Sequence, residues 1–398
     1  MLISNFYLLS KKLRLKKLAK FLLGKSPNVN FFLKQKFYFV LPGVLDKKQF
    51  HLYEVFENTA GKKFFLFPYG GKIIAFATGP LNDKRGIGRI TKNLFDQIAD
   101  LIDFRKEFAT LSIEKKYKFK NYDLTCVDVY FFSSIHWCKN SIPENSVVMI
   151  MDVIPLVLSQ FFPKIIVDNW KKNFKFIAEK CNQIVTISNS SARDITNFLS
   201  IDNKKISIIN PGLEKIPIVY KNSPKIPTGS FILFLGSNDF HKNAEVVIRA
   251  LAMPLLRNIN IVFIGENEGL KKTCKDFDVI DRAVFFGRLQ DGETAFIMNS
   301  AALLVFPSLY EGFGLPPMEA ALMGVPSVCS RRPAMTEILK NCALFADPYD
   351  HKEWSEQIFK LIYESDLRSK IINNAKARAN KLCWRASSKK LLKLLGSI

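Results

Sequence analysis

The stretch Pro307–Ala320, PSLYEGFGLPPMEA, decides how the rest of this chain is read. It follows LLVF (Leu303–Phe306), an apolar run of the length expected for a buried strand. Gly312 and Gly314 permit positive φ or close backbone approach. Pro316 and Pro317 suit the first turn of a helix, where N–H groups lack intrahelical partners. A Gly-rich turn leading from a strand into a helix N-terminus can receive a diphosphate on backbone N–H groups and the positive end of the helix dipole. Glu311 precedes the turn and Glu319 lies within the helix, so the two reach opposite ends of a ligand laid across it. Both suit hydroxyl donors such as those of a ribose or hexose. The bland alternative makes Glu319 a solvated helix residue and EGFG an ordinary turn, and leaves the whole string unexplained.

Outward from this turn, short apolar runs alternate with helical patterns. Phe231–Leu235, Ile261–Ile264, Ala283–Phe286, Leu303–Phe306 and Ser327–Cys329 read as strands. A helix from about Asn243 to Ala252 follows the first, and Trp354 to the end is helical in pattern. The same alternation occurs earlier. IIAFAT after Lys72 is a strand, KRGIGR a loop, and a helix begins near Ile90. Apolar runs follow at Val127–Phe132, Val147–Met151, Ile184–Ile187 and Ile206–Ile209, with helical stretches at Asn169–Glu179 and Ser190–Leu199. This alternation predicts an α/β protein of two Rossmann-like, doubly wound parallel-sheet domains facing a cleft, with ligands at the carboxyl ends of the strands. The expected boundaries are a basic N-terminal extension over 1–68, ending in FFLFPYGGK, and a first domain over 69–212. A proline- and lysine-rich linker over 213–229, a second domain over 230–380 and a C-terminal helix over 381–398 complete the chain.

SLYEGFGLPPMEA resembles the Glu-x7-Glu signature of the family 4 retaining glycosyltransferases of GT-B fold (glycosyl transferases group 1). ALMGVPSVCSRRPAMTEIL after it is also similar to that family, with Glu337 following a small turn. The resemblance implies that Glu311 contacts the donor sugar and Glu319 the ribose, with backbone N–H groups around Phe313, Gly314 and Leu315 on sugar and phosphate. FILFLGSNDFHKNAEVVIRAL resembles the opening strand and helix of the family's second domain, which implies donor-side positions for Gly236, Lys242 and Asn243. Lys242 would neutralise the diphosphate as the nucleotide leaves. His241 stands where family members often carry Arg. RGIGR resembles the family's glycine loop and implies that Gly86 and Gly88 let the backbone approach the sugar-phosphate; alone, a GxG is usually a tight turn. MDVIPL resembles a strand-end motif in which a ring residue commonly precedes Asp, and Met151 holds that place here. Asp152 is then a candidate for orienting the acceptor hydroxyl, beside the alternative of a capping or turn aspartate.

The resemblance covers about residues 72–385 and is nearest to mannosyl- and rhamnosyl-transferring enzymes of bacterial surface-polysaccharide and lipopolysaccharide synthesis. It implies transfer of a hexosyl group, with retention, from a nucleotide-diphosphate sugar to a glycan or lipid-linked acceptor. GDP-mannose is the leading donor, and neither a cofactor nor a metal is expected, no Asp-x-Asp triplet being read as a metal clamp. Two alternatives share the fold: a nucleotide-sugar epimerase and a non-catalytic scaffold.

A net charge of +22 over 398 residues points to an anionic partner or to compositional bias alone. No nucleic-acid-binding module accompanies the basic residues, so nucleic acid is not an expected partner. Ser10–Lys25, SKKLRLKKLAKFLLGK, would as a helix gather most of its apolar residues on one side among cations. That pattern fits an anionic membrane surface or a helix packed on the protein. No apolar run reaches the roughly 18–20 residues that span a bilayer, and the beginning lacks a signal-peptide core and cleavage site. Seven scattered cysteines and four histidines suggest neither a disulfide framework nor a zinc site. The expected location is the cytoplasm, with peripheral attachment at the inner face of the cytoplasmic membrane.

Overall fold

A computed structural model describes residues 56–57, 63–83, 85–103, 127–138, 142–218 and 224–398; Ser10–Lys25 lies outside them. In chain order the elements are β1 (Phe56–Glu57), β2 (Lys63–Tyr69), β3 (Lys72–Ala77), α1 (Gly86–Leu101), β4 (Val129–Phe132), β5 (Ser146–Met149), α2 (Ile154–Val157), α3 (Lys164–Lys180), β6 (Gln183–Thr186), α4 (Asn189–Leu199) and β7 (Ile206–Ile208). There follow β8 (Phe231–Leu235), α5 (Ala244–Leu251), β9 (Asn260–Ile264), α6 (Leu270–Asp276), β10 (Ala283–Phe286), α7 (Asp291–Ser300), β11 (Leu303–Phe306), α8 (Leu315–Met323), β12 (Ser327–Ser330), α9 (Pro333–Leu339), β13 (Leu344–Ala346), α10 (His351–Tyr363), α11 (Ser365–Ala379) and α12 (Trp384–Ser397). The strands form a seven-stranded sheet in chain order and a six-stranded sheet ordered β10-β9-β8-β11-β12-β13. Among the described residues no helix is long and apolar enough to cross a membrane.

The described chain divides into two compact units, one drawn from 1–149, 176–184 and 388–398, the other from 150–175 and 185–387. In the first, FFLFPYGGK proves to be most of a strand and a hairpin. β2 pairs antiparallel with β3 along its length, with Tyr69 opposite Lys72. Gly70 and Gly71 have φ of +57° and +72°, the double positive φ that a tight two-residue hairpin demands. The expected boundary at residue 68 therefore falls inside β2, and the sheet opens with antiparallel strands before the parallel pairs β3–β4 and β4–β5. The core here is aromatic. Phe65 and Phe76 meet Phe95 of α1 edge-on, with centroids 5.1 and 5.5 Å apart. Ile90, Leu94 and Ile98, spaced four apart, form the buried stripe of that helix.

The second unit begins upstream of the proline-rich linker and contains the six-stranded sheet, whose neighbours all pair in parallel. Along β8, Ile232 and Phe234 enter one core with α5 and Trp354, while Phe231 and Leu233 enter another with Ile297 and Met298 of α7. Both faces are thus covered, which is why these strands read as unbroken apolar runs. Arg282, fully within this unit, donates to the carbonyls of Leu251, Leu256 and Ile259 and so ties down the end of α5.

Candidate functional site

Order in the second sheet reverses between β8 and β11, which are hydrogen-bonded neighbours although their paired positions Leu233 and Leu304 lie 71 residues apart in the chain. In an open α/β sheet the crevice outside the carboxyl ends of two such strands is the place for a ligand. The chain leaving β8 carries Lys242, and the chain leaving β11 carries Glu311. Lys242 Nζ lies 2.6 Å from Glu311 Oε1, with side chains 21% and 16% exposed. The two loops are tied to each other. Leu309 N donates to the His241 carbonyl at 2.7 Å. Asn243, left-handed at φ +53°, donates its Nδ2 to the carbonyls of Pro307 and Pro348 at 3.2 and 2.7 Å. Asn243, expected on the donor side, thus has its amide nitrogen occupied in holding the Lys242 turn against the Glu311 turn.

The glycines of the signature turn have steric reasons. A Cβ on Gly312 would stand 2.8 Å from the Met151 carbonyl oxygen and 3.3 Å from Asp152 Cβ. Gly314 has φ +88° and caps α8; a Cβ there would press on the end of Met335 at 2.6 Å. Pro316 and Pro317 follow in the first turn, and since neither carries an N–H, the helix end keeps fewer donors than the sequence pattern suggested. Of the first three helical residues only Leu315 carries an N–H. The Phe313 side chain is buried, so only its backbone is offered to a ligand. Glu319 is 7% exposed, which excludes the bland reading of a solvated helix residue.

Asp152 approaches the same turn. Its Oδ1 accepts from Ile154 N at 3.2 Å. Burial raises its pKa to about 6; the Ile154 bond opposes the rise, nearby Glu311 adds to it, and Lys242 counters it. Burial and the adjacent Lys242 ammonium lower the pKa of His241. A ring held neutral in this way does not supply the cation that the resemblance implies at this place. Gly236, at the end of β8, would bring a Cβ only into ordinary contact with Phe234 and Lys242, so its conservation of space is modest.

Gly86 and Gly88 lie in the first unit. Helix α1 begins at Gly86 rather than near Ile90, so both glycines are in its first turn and not in a loop. The first intrahelical bond runs from Arg89 N to the Arg85 carbonyl, which leaves the preceding N–H groups directed out of the helix end. Gly88 is required because a Cβ would collide with the Asp83 carbonyl; around Gly86 nothing lies within 4 Å. Asp83 is held by Arg85 at 2.6 Å, and that hydrogen-bonded guanidinium lowers its pKa.

Three further features were not read from the sequence. Tyr310 donates its hydroxyl to Asp194 Oδ2 at 2.6 Å, and Ser191 Oγ donates to the Gly312 carbonyl at 3.3 Å, so α4 grips the signature turn. Glu337 caps that helix, accepting from Asn189 N at 2.9 Å and Ser190 N at 2.7 Å. Asn267, just beyond β9, is 3% exposed and neither atom of its carboxamide has a hydrogen-bond partner. It stands beside Gly265, whose φ of +124° and missing Cβ let the Gly236 carbonyl pass close by. Only Glu337 carried a sequence signal, through the stretch around MTEIL. The others pair residues far apart in the chain or lack a motif altogether.

The chain does contain one Asp-x-Asp triplet, Asp276–Phe277–Asp278. It closes α6, which returns from the carboxyl end of β9, so the triplet sits toward the amino ends of the strands and away from Lys242. Among the described residues, no three His, Cys, Asp or Glu side chains are grouped to hold a metal ion.

Residues 219–378 match the family described as Glycosyl transferases group 1. The O-antigen chain mannosyltransferase RfbU of Salmonella typhimurium is 26% identical over 277 residues, which cover 67% of this chain and 72% of the relative. Sucrose-phosphate synthase of Thermosynechococcus elongatus superposes with a TM-score of 0.57 at 16% identity, covering 80% of each chain. HepE of Anabaena, solved in complex with UDP and glucose, gives a TM-score of 0.57 at 15% identity, covering 68% of this chain and 78% of that one. These structural likenesses establish the fold, two Rossmann-like domains of the GT-B kind.

Proposed function

The chain carries a glycosyl transferases group 1 domain over residues 219–378, and from that premise we propose that it is a retaining hexosyltransferase using a nucleotide-diphosphate sugar. The donor we assign is GDP-mannose and the acceptor a glycan or lipid-linked glycan of a surface polysaccharide. The O-antigen chain mannosyltransferase among its relatives supports that choice. The observation that carries the reading is the Lys242–Glu311 pair at the switch point of the second sheet, 2.6 Å apart and mostly shielded from water.

In this reading the donor's diphosphate lies between Lys242 and the N-terminus of α8, and Glu311 meets the sugar hydroxyls. The bond from C1 to the phosphate oxygen breaks while the acceptor oxygen bonds C1 from the same face. The departing diphosphate takes the acceptor's proton, and Lys242, already held in place by Glu311, balances the charge that grows on it. Asp152 orients the acceptor hydroxyl. Glu319 receives the ribose. A single preorganised cation in this role makes the reaction independent of metal.

The test is transfer from radiolabelled GDP-mannose to a lipid-linked glycan acceptor, with the anomeric configuration of the product read by NMR. A retained linkage, a rate unchanged by EDTA, and a fall of about 100-fold or more in kcat for Lys242→Met and Glu311→Gln are expected. An inverted linkage overturns the mechanism, and release of epimerised sugar without acceptor overturns the transferase reading. Donor binding without turnover, indifferent to Glu311→Gln, would mark a scaffold.

A further inference from the structure

Large apolar side chains are gathered on one outer surface of the second unit. In FFPKII (Phe161–Ile166), Phe161 is 47% exposed, Ile165 71% and Ile166 41%. Phe240, 40% exposed on the turn that carries Lys242, packs against Phe161 with ring centroids 4.8 Å apart and meets Phe162 edge-on at 5.3 Å. Phe162 packs in turn on the cluster of Leu158, Leu309 and Tyr310, the last two of which lead directly into Glu311. The exposed surface is therefore continuous with the candidate site. Exposed apolar surface gathered in this way marks a place where something else is bound.

The charge around it identifies the partner. Helix α3 presents Lys164, Lys171, Lys172, Lys175 and Lys180 to solvent, against Asp168, which pairs with Lys164, and Glu179 near its end. Ile165 is nine residues before the buried Phe174, half a turn round the helix, and Lys172 lies on its own side. Isoleucine and phenylalanine among lysines is the pattern of a surface lying at the boundary of headgroups and acyl chains. A second copy of the same chain would bring like charges together, and stacking of a sugar would make no use of the two isoleucines.

We propose that Phe161–Ile166, Phe240 and the lysines of α3 seat the protein on an anionic bilayer, beside which the Lys242–Glu311 site then works. This deepens the transferase reading, since it names the phase from which a lipid-linked acceptor arrives. Vesicle binding reads it without any transfer, so either can fail alone.

The experiment sediments the full chain with vesicles of phosphatidylcholine and phosphatidylglycerol, and with phosphatidylcholine alone. Phe161→Ser/Ile165→Ser/Ile166→Ser and Lys171→Glu/Lys172→Glu are compared with the unsubstituted chain. Both are repeated with Lys11, Lys12, Arg14, Lys16, Lys17, Lys20 and Lys25 changed to Ser, which removes the positive charge of the segment near the beginning. Binding to the anionic vesicles is expected to weaken by ~10-fold or more in each variant, and on raising salt, with the melting temperature unchanged. Equal binding by both variants overturns the proposal. So does intact vesicle binding accompanied by loss of a dimer, or by weaker use of a soluble glycan acceptor, which would assign the surface to a second copy or to the sugar.

Discussion

Asp152 bears a charge that its surroundings resist. Its pKa is raised to about 6 by burial and by Glu311, against the lowering effects of the Ile154 N–H and Lys242. A carboxyl whose pKa is higher folded than unfolded binds more protons in the folded state between those two values. It therefore costs stability above pH 6, and that cost disappears as the pH falls toward 4. Asp152→Asn is expected to stabilise the protein at pH 7.5 by on the order of 2 kcal/mol, with the advantage gone near pH 4. Urea unfolding at the two pH values measures it. The same substitution should remove an acid limb near pH 6 from the profile of kcat/KM, because the ionised carboxylate is the form that can accept a bond from the acceptor hydroxyl. A group that opposes folding yet stands beside Lys242 and Glu311 is in keeping with the placement of perturbed carboxylates at working sites.

At the scale of elements, the signature turn is held by what its glycines lack. The neighbour of Gly312 is a backbone oxygen, that of Met151, which cannot move aside as a side chain end can. Gly312→Ala should cost about 1–3 kcal/mol, and kcat/KM should fall by more than that loss of stability accounts for, since the displaced turn carries Glu311. Gly86→Ala provides the contrast. Its surroundings are open and it begins α1, so the same thermal unfolding measurement should show it neutral or stabilising by about 0.5–1 kcal/mol. If the rate falls for Gly86→Ala while stability rises, the backbone at that helix end meets the donor, as the resemblance of RGIGR implies. The pairing of Tyr310 with Asp194 and the cap of Glu337 on α4 show that the turn is also fixed from outside, by residues more than a hundred positions away.

For the whole molecule, the proposed donor would bind the folded chain and not the unfolded one, so its binding and folding would be linked. GDP at about a hundred times its Kd should add ~2.7 kcal/mol to stability and raise the melting temperature by several degrees. Amide exchange should slow most in the segments following β8 and β11. Asn267 separates a ligand-facing role from a structural one. A buried carboxamide with no partner costs stability, so Asn267→Leu should leave the ligand-free protein as stable or more so while sharply reducing the shift given by GDP. A destabilised variant that keeps the full shift would make Asn267 structural.

Much of this was legible in one dimension. Buried parallel strands are uniform apolar runs, so β8, β9, β10 and β11 could be placed almost to the residue, and PSLYEGFGLPPMEA disclosed a strand, a turn and a helix start because glycine and proline act locally. The hairpin of β2 and β3 was missed because antiparallel pairing depends on two adjacent strands meeting, which FFLFP alone does not announce. The three-residue β13 was missed because it is too short to form a run, and α1 starts earlier than expected because its first-turn glycines look like a loop. Residue types and local backbone preference are properties of neighbouring positions, and the sequence states them directly. Which strands lie side by side, and hence that Lys242 meets Glu311 across 69 positions, that Asp152 is desolvated and that Phe161 packs on Phe240, depends on long-range packing. Only the folded chain brings those groups within reach, and with them the charge, burial and exposed surface on which the chemistry rests.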